Sequence, residues 1–378
     1  MTNNKDKKVL NVPNLRFPEF TGEWKKERLD EIAELSKGVG ISKEQLSSNG
    51  NPCILYGELY TKYKSEIISE VISKTNIEKN NLKHSKQNDV IIPCSGETAV
   101  DIAVARCVPF DNILLGGDLN IIRLHKYDGA FMAYQLNSKR KIEIAKLAQG
   151  VSVVHLYGEN LKSINTYNPS LQEQQKIVRL LSLLDERIKV QNKIIKKLQS
   201  LIKGITILLT TKGAPNTIIA QCLECHSSTL QESEVSHSGL YKVFGANGLL
   251  GYTDMPQRNG DSILIIKDGS GVGTVSYVQG EFSIIGTLNY LTAISNYDLQ
   301  YLYFVLSVFN FQSYKTGMAI PHIYFKDYGN AKIYCPPLSE QKYIANVLGK
   351  LESKLFLEQN ILVSFNLQKR FLLGQMFI

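Results

Sequence analysis

One internal period constrains this chain before any other feature. Residues 149–210 align without a gap on residues 316–377, at a constant offset of 167. Gln149-Gly150-Val151-Ser152-Val153-Val154-His155-Leu156-Tyr157 meets Thr316-Gly317-Met318-Ala319-Ile320-Pro321-His322-Ile323-Tyr324. Pro169-Ser170-Leu171-Gln172-Glu173-Gln174 meets Pro336-Pro337-Leu338-Ser339-Glu340-Gln341. A period this long is not that of a solenoid, whose units run about 20–50 residues. It calls for two similar half-molecules in one chain, related by an approximate two-fold and suited to a target with two parts.

The repeated segments are also the most periodic. After Pro169-Ser170, apolar residues recur at Ile177, Leu181, Leu184, Ile188, Ile195, Leu198, Ile202, Ile205 and Leu209. Steps of three, four and seven mark one face of a helix. Ser170 with Glu173 three residues on reads as a capping box. The spacing predicts a helix over about 172–209, roughly 57 Å long at ~1.5 Å per residue. The second copy carries Ile344, Leu348, Leu351, Leu355, Leu362 and Phe365. Each stripe needs a partner. Either the two helices pair antiparallel as a spacer holding a domain at each end, or each packs on its own domain; the pairing is favoured because the stripe occurs twice.

The segments between the helices are rich in β-branched and aromatic residues, with turn signals at Asn49-Gly50, Gly116-Gly117, Asn247-Gly248 and Asn259-Gly260. Asp89–Gly96 resembles Asp261–Gly269, a strand running into a glycine turn, and Leu119–Leu124 resembles Leu288–Ala293. These likenesses are weaker than those of the helices, so the scaffold repeats while the surfaces diverge. The expected organisation is an N-terminal tail (1–14), a first domain (15–167), a first spacer helix (168–211), a second domain (212–334) and a second spacer helix (335–378). The fold class is α+β.

Composition sets bounds. Hydrophobic content of 43% and charged content of 21% are ordinary for a globular protein. No apolar run reaches the roughly 18 residues of a membrane span, and Tyr301–Phe311 reads as a buried helix. Met1–Lys8 has no apolar signal-peptide core, so a cytoplasmic location without a membrane partner is expected. The net charge of +8 permits a polyanion partner without demanding one. Lys176, Arg179, Arg187, Lys189, Lys193, Lys196, Lys197 and Lys203 make the first helix basic; this is either a solvated face or a phosphate-facing stripe. The six scattered cysteines read as free thiols.

Motifs that mimic catalytic or cofactor sites fail on inspection. Cys222-Leu223-Glu224-Cys225-His226 matches a haem-attachment pattern. However, an offset of 190 lays Cys222 on Ile32 and Cys225 on Leu35, two apolar helix-face positions. One cysteine pair with His226 and His237 nearby is a thin donor set for zinc. Asp268–Thr274 is glycine-rich but lacks the lysine and hydroxyl that end a P-loop, and it precedes a strand. It reads as a hairpin whose main-chain N–H groups can approach a DNA backbone. Cys335-Pro336-Pro337-Leu338 lacks the polar first and aromatic last residue of an amino-methyltransferase motif, and reads as a helix start.

His155 with Tyr157, and His322 with Tyr324, occupy equivalent places in the two copies. Such pairs are usually structural, yet His and Tyr also contact phosphates and stack on bases.

Pro13-Asn14-Leu15-Arg16-Phe17-Pro18-Glu19-Phe20-Thr21-Gly22-Glu23-Trp24, followed by Leu29–Glu34, resembles the opening of type I restriction-modification specificity subunits. Pro169–Ile177 and Pro336–Ile344 are similar to the starts of that family's two spacer helices, and the Gly-x4-His-x-Tyr approach adds to the likeness. Phe371, where the first copy has Gly204, is a departure without an expected functional effect. The resemblance implies two target-recognition domains that each read half of a bipartite site in double-stranded DNA. It implies a helix pair that sets the spacer between the half-sites and docks two modification subunits. Those subunits would carry S-adenosylmethionine and methylate adenine. Restriction subunits would add translocation and cleavage with ATP and Mg. The specificity chain itself would bind no cofactor or metal and do no chemistry.

On that reading, candidate DNA contacts are Ser95, Gly96, Glu97, Thr98, His155 and Tyr157 in the first domain. In the second they are Lys267, Asp268, Gly269, Ser270, His322 and Tyr324. Candidate subunit-interface residues are Ile177, Leu181, Leu184, Ile188, Ile195, Ile344, Leu348, Leu351 and Leu355. The competing readings are a methyltransferase or nuclease in its own right, which S-adenosylmethionine binding would reveal, and a coiled-coil scaffold without a DNA role.

Overall fold

A computed structural model describes residues 10–78 and 82–378; most of the expected N-terminal tail lies outside the described residues. The chain divides into two compact units, Met1–Gln191 with Ile361–Ile378, and Asn192–Asn360. Two long helices, Leu171–Thr210 and Leu338–Gln375, each contribute one stretch to each unit.

The first unit is built on a four-stranded antiparallel sheet in the order Ala33–Lys37, Leu119–Leu124, Asp89–Pro93, Arg106–Val108. The second repeats it with Leu223–Ser227, Leu288–Ala293, Ser262–Ile266 and Val275–Val278. Asp89–Pro93 and Ser262–Ile266 are buried throughout, which is why both read as near-continuous apolar runs. Each unit adds a second, mixed sheet. In the first, Leu114–Leu115 runs parallel to Asn51–Ile54; in the second, Tyr241–Gly245 runs parallel to Glu281–Ile284. The architecture is α+β and internally repeated.

Capping and glutamine latches explain the repeated signature at the helix starts. Asp128 accepts the Phe131 N–H and starts the helix Gly129–Asn137; Asp298 accepts the Tyr301 N–H and starts Leu299–Val308. The Asp128 N–H donates to Gln174 Oε1, whose Nε2 donates to Pro169 O (both 2.9 Å). The Asp298 N–H donates likewise to Gln341 Oε1, whose Nε2 donates to Pro336 O. A buried amide with both ends satisfied locks each long helix to its domain.

The expected capping box forms only in half. Ser170 Oγ accepts the Glu173 N–H, but the Glu173 carboxylate turns away. It takes two bonds from Arg16 (2.7 and 2.8 Å) and one from Trp24 Nε1 (3.2 Å). The bidentate bond from Arg16 offsets the desolvation that capping alone would leave uncompensated. The N-terminal motif therefore exists to bind the start of the first long helix.

Both readings of the apolar stripe hold in part. In the first unit, Ile177 and Leu181 pack on Trp24, Phe131 and Tyr134 and on Met376 and Phe377. The two helix stretches run antiparallel there, with Asp185 facing Lys369. In the second unit, Ile205 and Leu209 join Ile344, Leu348 and Leu351 in one core. Cys222 sits in that core, as expected for a small apolar residue. Cys225 departs from the expected helix face: it lies, half-buried, on the strand Leu223–Ser227.

The equivalent carboxylates Asp185 and Glu352 differ in charge balance. Tyr134 donates to Asp185 Oδ2 (2.7 Å) in the first unit, and Tyr303 donates to Glu352 Oε1 (2.8 Å) in the second. Asp185 faces Lys369; the residue equivalent to Lys369 in the other copy is Ile202. Burial raises the Glu352 carboxyl above the ordinary glutamate value, and the bond from Tyr303 opposes the rise. A carboxyl raised in the folded state stabilises below its unfolded pKa of about 4.3, and that contribution is lost as pH rises through the folded value. Glu352→Gln is expected to flatten this decline. Denaturant midpoints followed by circular dichroism between pH 4.5 and 8 would show it; an unchanged slope would mean that the group does not titrate in this range.

Candidate nucleic-acid interface

In each unit the structure brings together two segments that are far apart in sequence. In the first, Val154–His155 pairs antiparallel with Ser95–Gly96, setting His155 opposite Ser95. Leu156 donates to Cys94 O at 2.7 Å and extends the contact. In the second, Asp268 bridges His322, Gly269 donates to Pro321 O and Ile323 donates to Lys267 O. The candidate DNA contacts therefore form one cluster per domain, at the end of the buried strand of its central sheet.

Within the clusters the side chains are not equally available. Ser95 is buried and its hydroxyl donates to Asp118. The Thr98 hydroxyl caps a short helix, accepting from the Asp101 N–H and donating to the Asp101 carboxylate. These two hydroxyls hold the loop in shape. Glu97 and His155 are exposed, and Tyr157 is half exposed. The rings of His155 and Tyr157 stack at 6.2 Å.

The second cluster is more basic. Lys267 is partly exposed; burial pushes the neighbouring Cys225 thiol up to about 11, and the Lys267 charge opposes that rise. The His322 ring meets Tyr324 edge-on at 5.0 Å, and Lys326 lies over the Tyr324 ring at 5.3 Å. Asp268–Thr274 is the expected hairpin between Ser262–Ile266 and Val275–Val278. Gly269 has φ +98 and Gly273 has φ +87, a region that favours glycine. The Gly269 N–H donates to Pro321 O, and Ser270 is exposed beside it.

On the first long helix, Lys176 pairs with Glu19 and lies over the Phe17 ring at 4.5 Å. Lys189 donates to Ser69. This part of the basic face is engaged with its own domain.

Most of the expected subunit-interface stripe faces inward. Ile177, Leu181, Leu184, Ile195, Ile344 and Leu348 are buried within the chain; Ile188, Leu351 and Leu355 are half-buried. The exposed apolar residues lie elsewhere on the same helices: Leu183, Val190, Val363 and Leu367 in the first unit, Leu201, Tyr343 and Phe356 in the second. Sequence periodicity finds the buried stripe and is blind to this outer face.

Two α+β units, each with an antiparallel sheet and a mixed one, each closed by stretches of two long helices and each presenting one loop cluster, define a duplicated scaffold. The chain belongs to the type I restriction modification DNA specificity domain family, whose profile matches residues 21–200 and 223–364. The Escherichia coli type I restriction enzyme EcoprrI specificity subunit is 25% identical over 116 residues; that match spans 31% of this chain and 29% of the relative. The type I restriction-modification S subunit of M. genitalium superposes with a TM-score of 0.68 at 19% identity, covering 97% of this chain and 99% of that one. A solved structure from work on complex assembly and conformational transition of a type I R-M system gives 0.54 at 16% identity, covering 94% and 97%. At these identities the likeness to solved structures is one of fold. Among the described residues, no helix is long and apolar enough to cross a membrane.

Proposed function

We propose that this chain is the non-catalytic DNA-recognition subunit of a type I restriction-modification complex. Residues 15–167 and 212–334 act as target-recognition domains, and each reads one half of a bipartite sequence in double-stranded DNA. The observation that carries the reading is the placement of one loop cluster per domain on a repeated scaffold, in a chain whose family is defined by DNA specificity. Base-edge readout in the major groove distinguishes all four base pairs, and exposed polar loops such as those at Glu97 and Lys267 suit it. Basic residues supply the salt-dependent phosphate contribution.

The outward apolar faces of the segments 168–211 and 335–378 dock two modification subunits, and restriction subunits join that assembly. S-adenosylmethionine, ATP and Mg belong to those partners, and the site of action is the cytoplasm. The recognition chain supplies binding and orientation, and the partners supply the chemistry.

The test is methylome sequencing of cells carrying a compatible modification subunit, with and without this chain. A new bipartite motif methylated on adenine in both halves is the expected result. No new motif from a complex shown to assemble would overturn the reading. Lys267→Ala is expected to weaken binding of the assembled complex to that motif about 5–150-fold, through loss of one base or phosphate contact of ~1–3 kcal/mol. Competition with half-site variants should place the change in the second domain's half only. Unaltered affinity and selectivity would remove Lys267 from the interface.

A further inference from the structure

Two loops expose apolar side chains beside the proposed recognition clusters. Residues 150–154 leave the fold at Gln149 and return at His155, closed by Gln149 N–H to His155 O (2.9 Å) and His155 N–H to Gln149 O (2.7 Å). Residues 317–321 are closed identically by Thr316 N–H to His322 O (2.9 Å) and His322 N–H to Thr316 O (2.8 Å). Each loop opens on a glycine of positive φ, +117 at Gly150 and +86 at Gly317. A Cβ at Gly150 would lie 2.2 Å from Val153 O, and one at Gly317 would lie 2.4 Å from Ile320 O. The backbone of each tip is thus tightly turned and pinned at its base.

The tips are apolar where solvent would favour polar residues. Val151 is 98% exposed and Val153 52%; Met318 is 104% exposed and Ile320 66%. The residues differ between the copies, yet the pattern of apolar, small, apolar persists as Val151-Ser152-Val153 and Met318-Ala319-Ile320. Two fully exposed apolar tips at equivalent places mark an interaction surface rather than scatter. Both tips spring from the histidine that holds the recognition loop, His155 against Ser95 and His322 against Asp268. Cations flank the second tip, with Lys315 directly before it and Lys326 over the ring of Tyr324.

We propose that Val151 with Val153, and Met318 with Ile320, are wedges that each enter a base step of the DNA half-site read by their own domain. Apolar side chains inserted between base pairs unstack and kink a duplex, and the deformation energy differs between steps. A pinned loop loses little conformational freedom on insertion. The wedges would therefore add selectivity for flexible steps at positions where no hydrogen bond reads a base. This inference rests on the DNA-recognition reading.

The test uses the assembled complex with its modification subunits and duplexes carrying 2-aminopurine at successive positions of each half-site. The wild-type complex is expected to raise fluorescence at one step per half beyond any change at the methylated adenine. Val151→Ser/Val153→Ser should lose at least three-quarters of that rise in the first half only, and Met318→Ser/Ile320→Ser in the second only. Assembly and the salt dependence of binding should be unchanged. Retention of the full rise in both variants overturns the wedge while leaving recognition intact. Loss of assembly in the variants overturns it in favour of a protein contact by the tips. A wild-type complex that binds its DNA no better than unrelated sequence sinks the recognition reading and the wedge together.

Discussion

Lys369→Met is expected to destabilise the first unit by about 3–5 kcal/mol, the usual cost of removing one partner from a buried ion pair. Lys369 Nζ lies 2.6 Å from Glu66 Oε2 and 2.6 Å from Asp185 Oδ1, with 14% of its side chain exposed. Asp185 also accepts from Tyr134 and Ser65. The substitution leaves two carboxylates in a site built around an ammonium. Burial pulls the Lys369 pKa down, but Glu66 and Asp185 outweigh it and the net shift is upward. The contribution is therefore complete below the unfolded lysine value of about 10.4 and is lost only as pH rises through the higher folded value. At neutral pH the full effect is present.

Trp24 is the single tryptophan of the chain and is buried in this unit, so its fluorescence during denaturant unfolding isolates the right transition. Adding Glu66→Gln and Asp185→Asn to Lys369→Met should recover much of the loss, because neutral amides tolerate the site better than unpaired charges. A loss under 1 kcal/mol for the single variant would show that the network contributes little.

Phe377→Ala is expected to cost about 3–5 kcal/mol in the same unit, as aromatic truncations in cores do. The Phe377 ring packs 5.3 Å from Phe131 and 6.5 Å from Trp24, and Trp24 lies 5.7 Å from Phe131. Two further contacts tie segments distant in sequence together around this cluster. Leu15 N–H donates to Gln375 O, and Arg140 donates to the Ile378 carbonyl. The last turn of the second long helix and the residues after it are thus part of the first unit's core. Trp24 emission should shift to the red in the folded variant, since the cavity admits water beside the indole. A variant as stable as the parent, with unshifted emission, would mean that the cluster closes over the gap.

These two residues also show where the repeat stops. The counterparts of Lys369 and Phe377 in the first copy are Ile202 and Thr210. Thr210 is buried and its hydroxyl donates to Thr206 O within its own helix. The two copies are alike in scaffold and unlike in the side chains that close each unit.

Much of the scaffold was legible in residues alone. The stripe from Ile177 to Leu209 marks a helix because a solvated helix must bury one face, and the face repeats every 3.6 residues. The buried strands Asp89–Pro93 and Ser262–Ile266 show as apolar runs ended by glycine turns, for the same reason. Gln174 and Gln341 stood out as repeated residues, but periodicity says nothing about their partners, the N–H groups of Asp128 and Asp298. The capping-box reading of Glu173 failed because Arg16 and Trp24, distant in sequence, compete for the same carboxylate. Cys225 lies on a strand, since one aligned apolar position does not distinguish a helix face from a strand edge.

The candidate site divides along the same line. Local chemistry and the offset of 167 mark His155 and His322, and local chemistry marks the loops at Ser95 and Lys267. That His155 lies opposite Ser95 and His322 beside Asp268 is a matter of strand pairing between residues tens of positions apart. Availability could not be read locally either, since the hydroxyls of Ser95 and Thr98 are taken by Asp118 and Asp101. By itself, then, the sequence determined the duplication, the helices, the buried strands and the glycine turns, all set by periodicity and local backbone chemistry. Only the tertiary structure decided which carboxylate met which cation, which apolar residues stayed in water and which loops came together. Those outcomes depend on long-range packing, where distant groups compete for the same partner and burial decides between them.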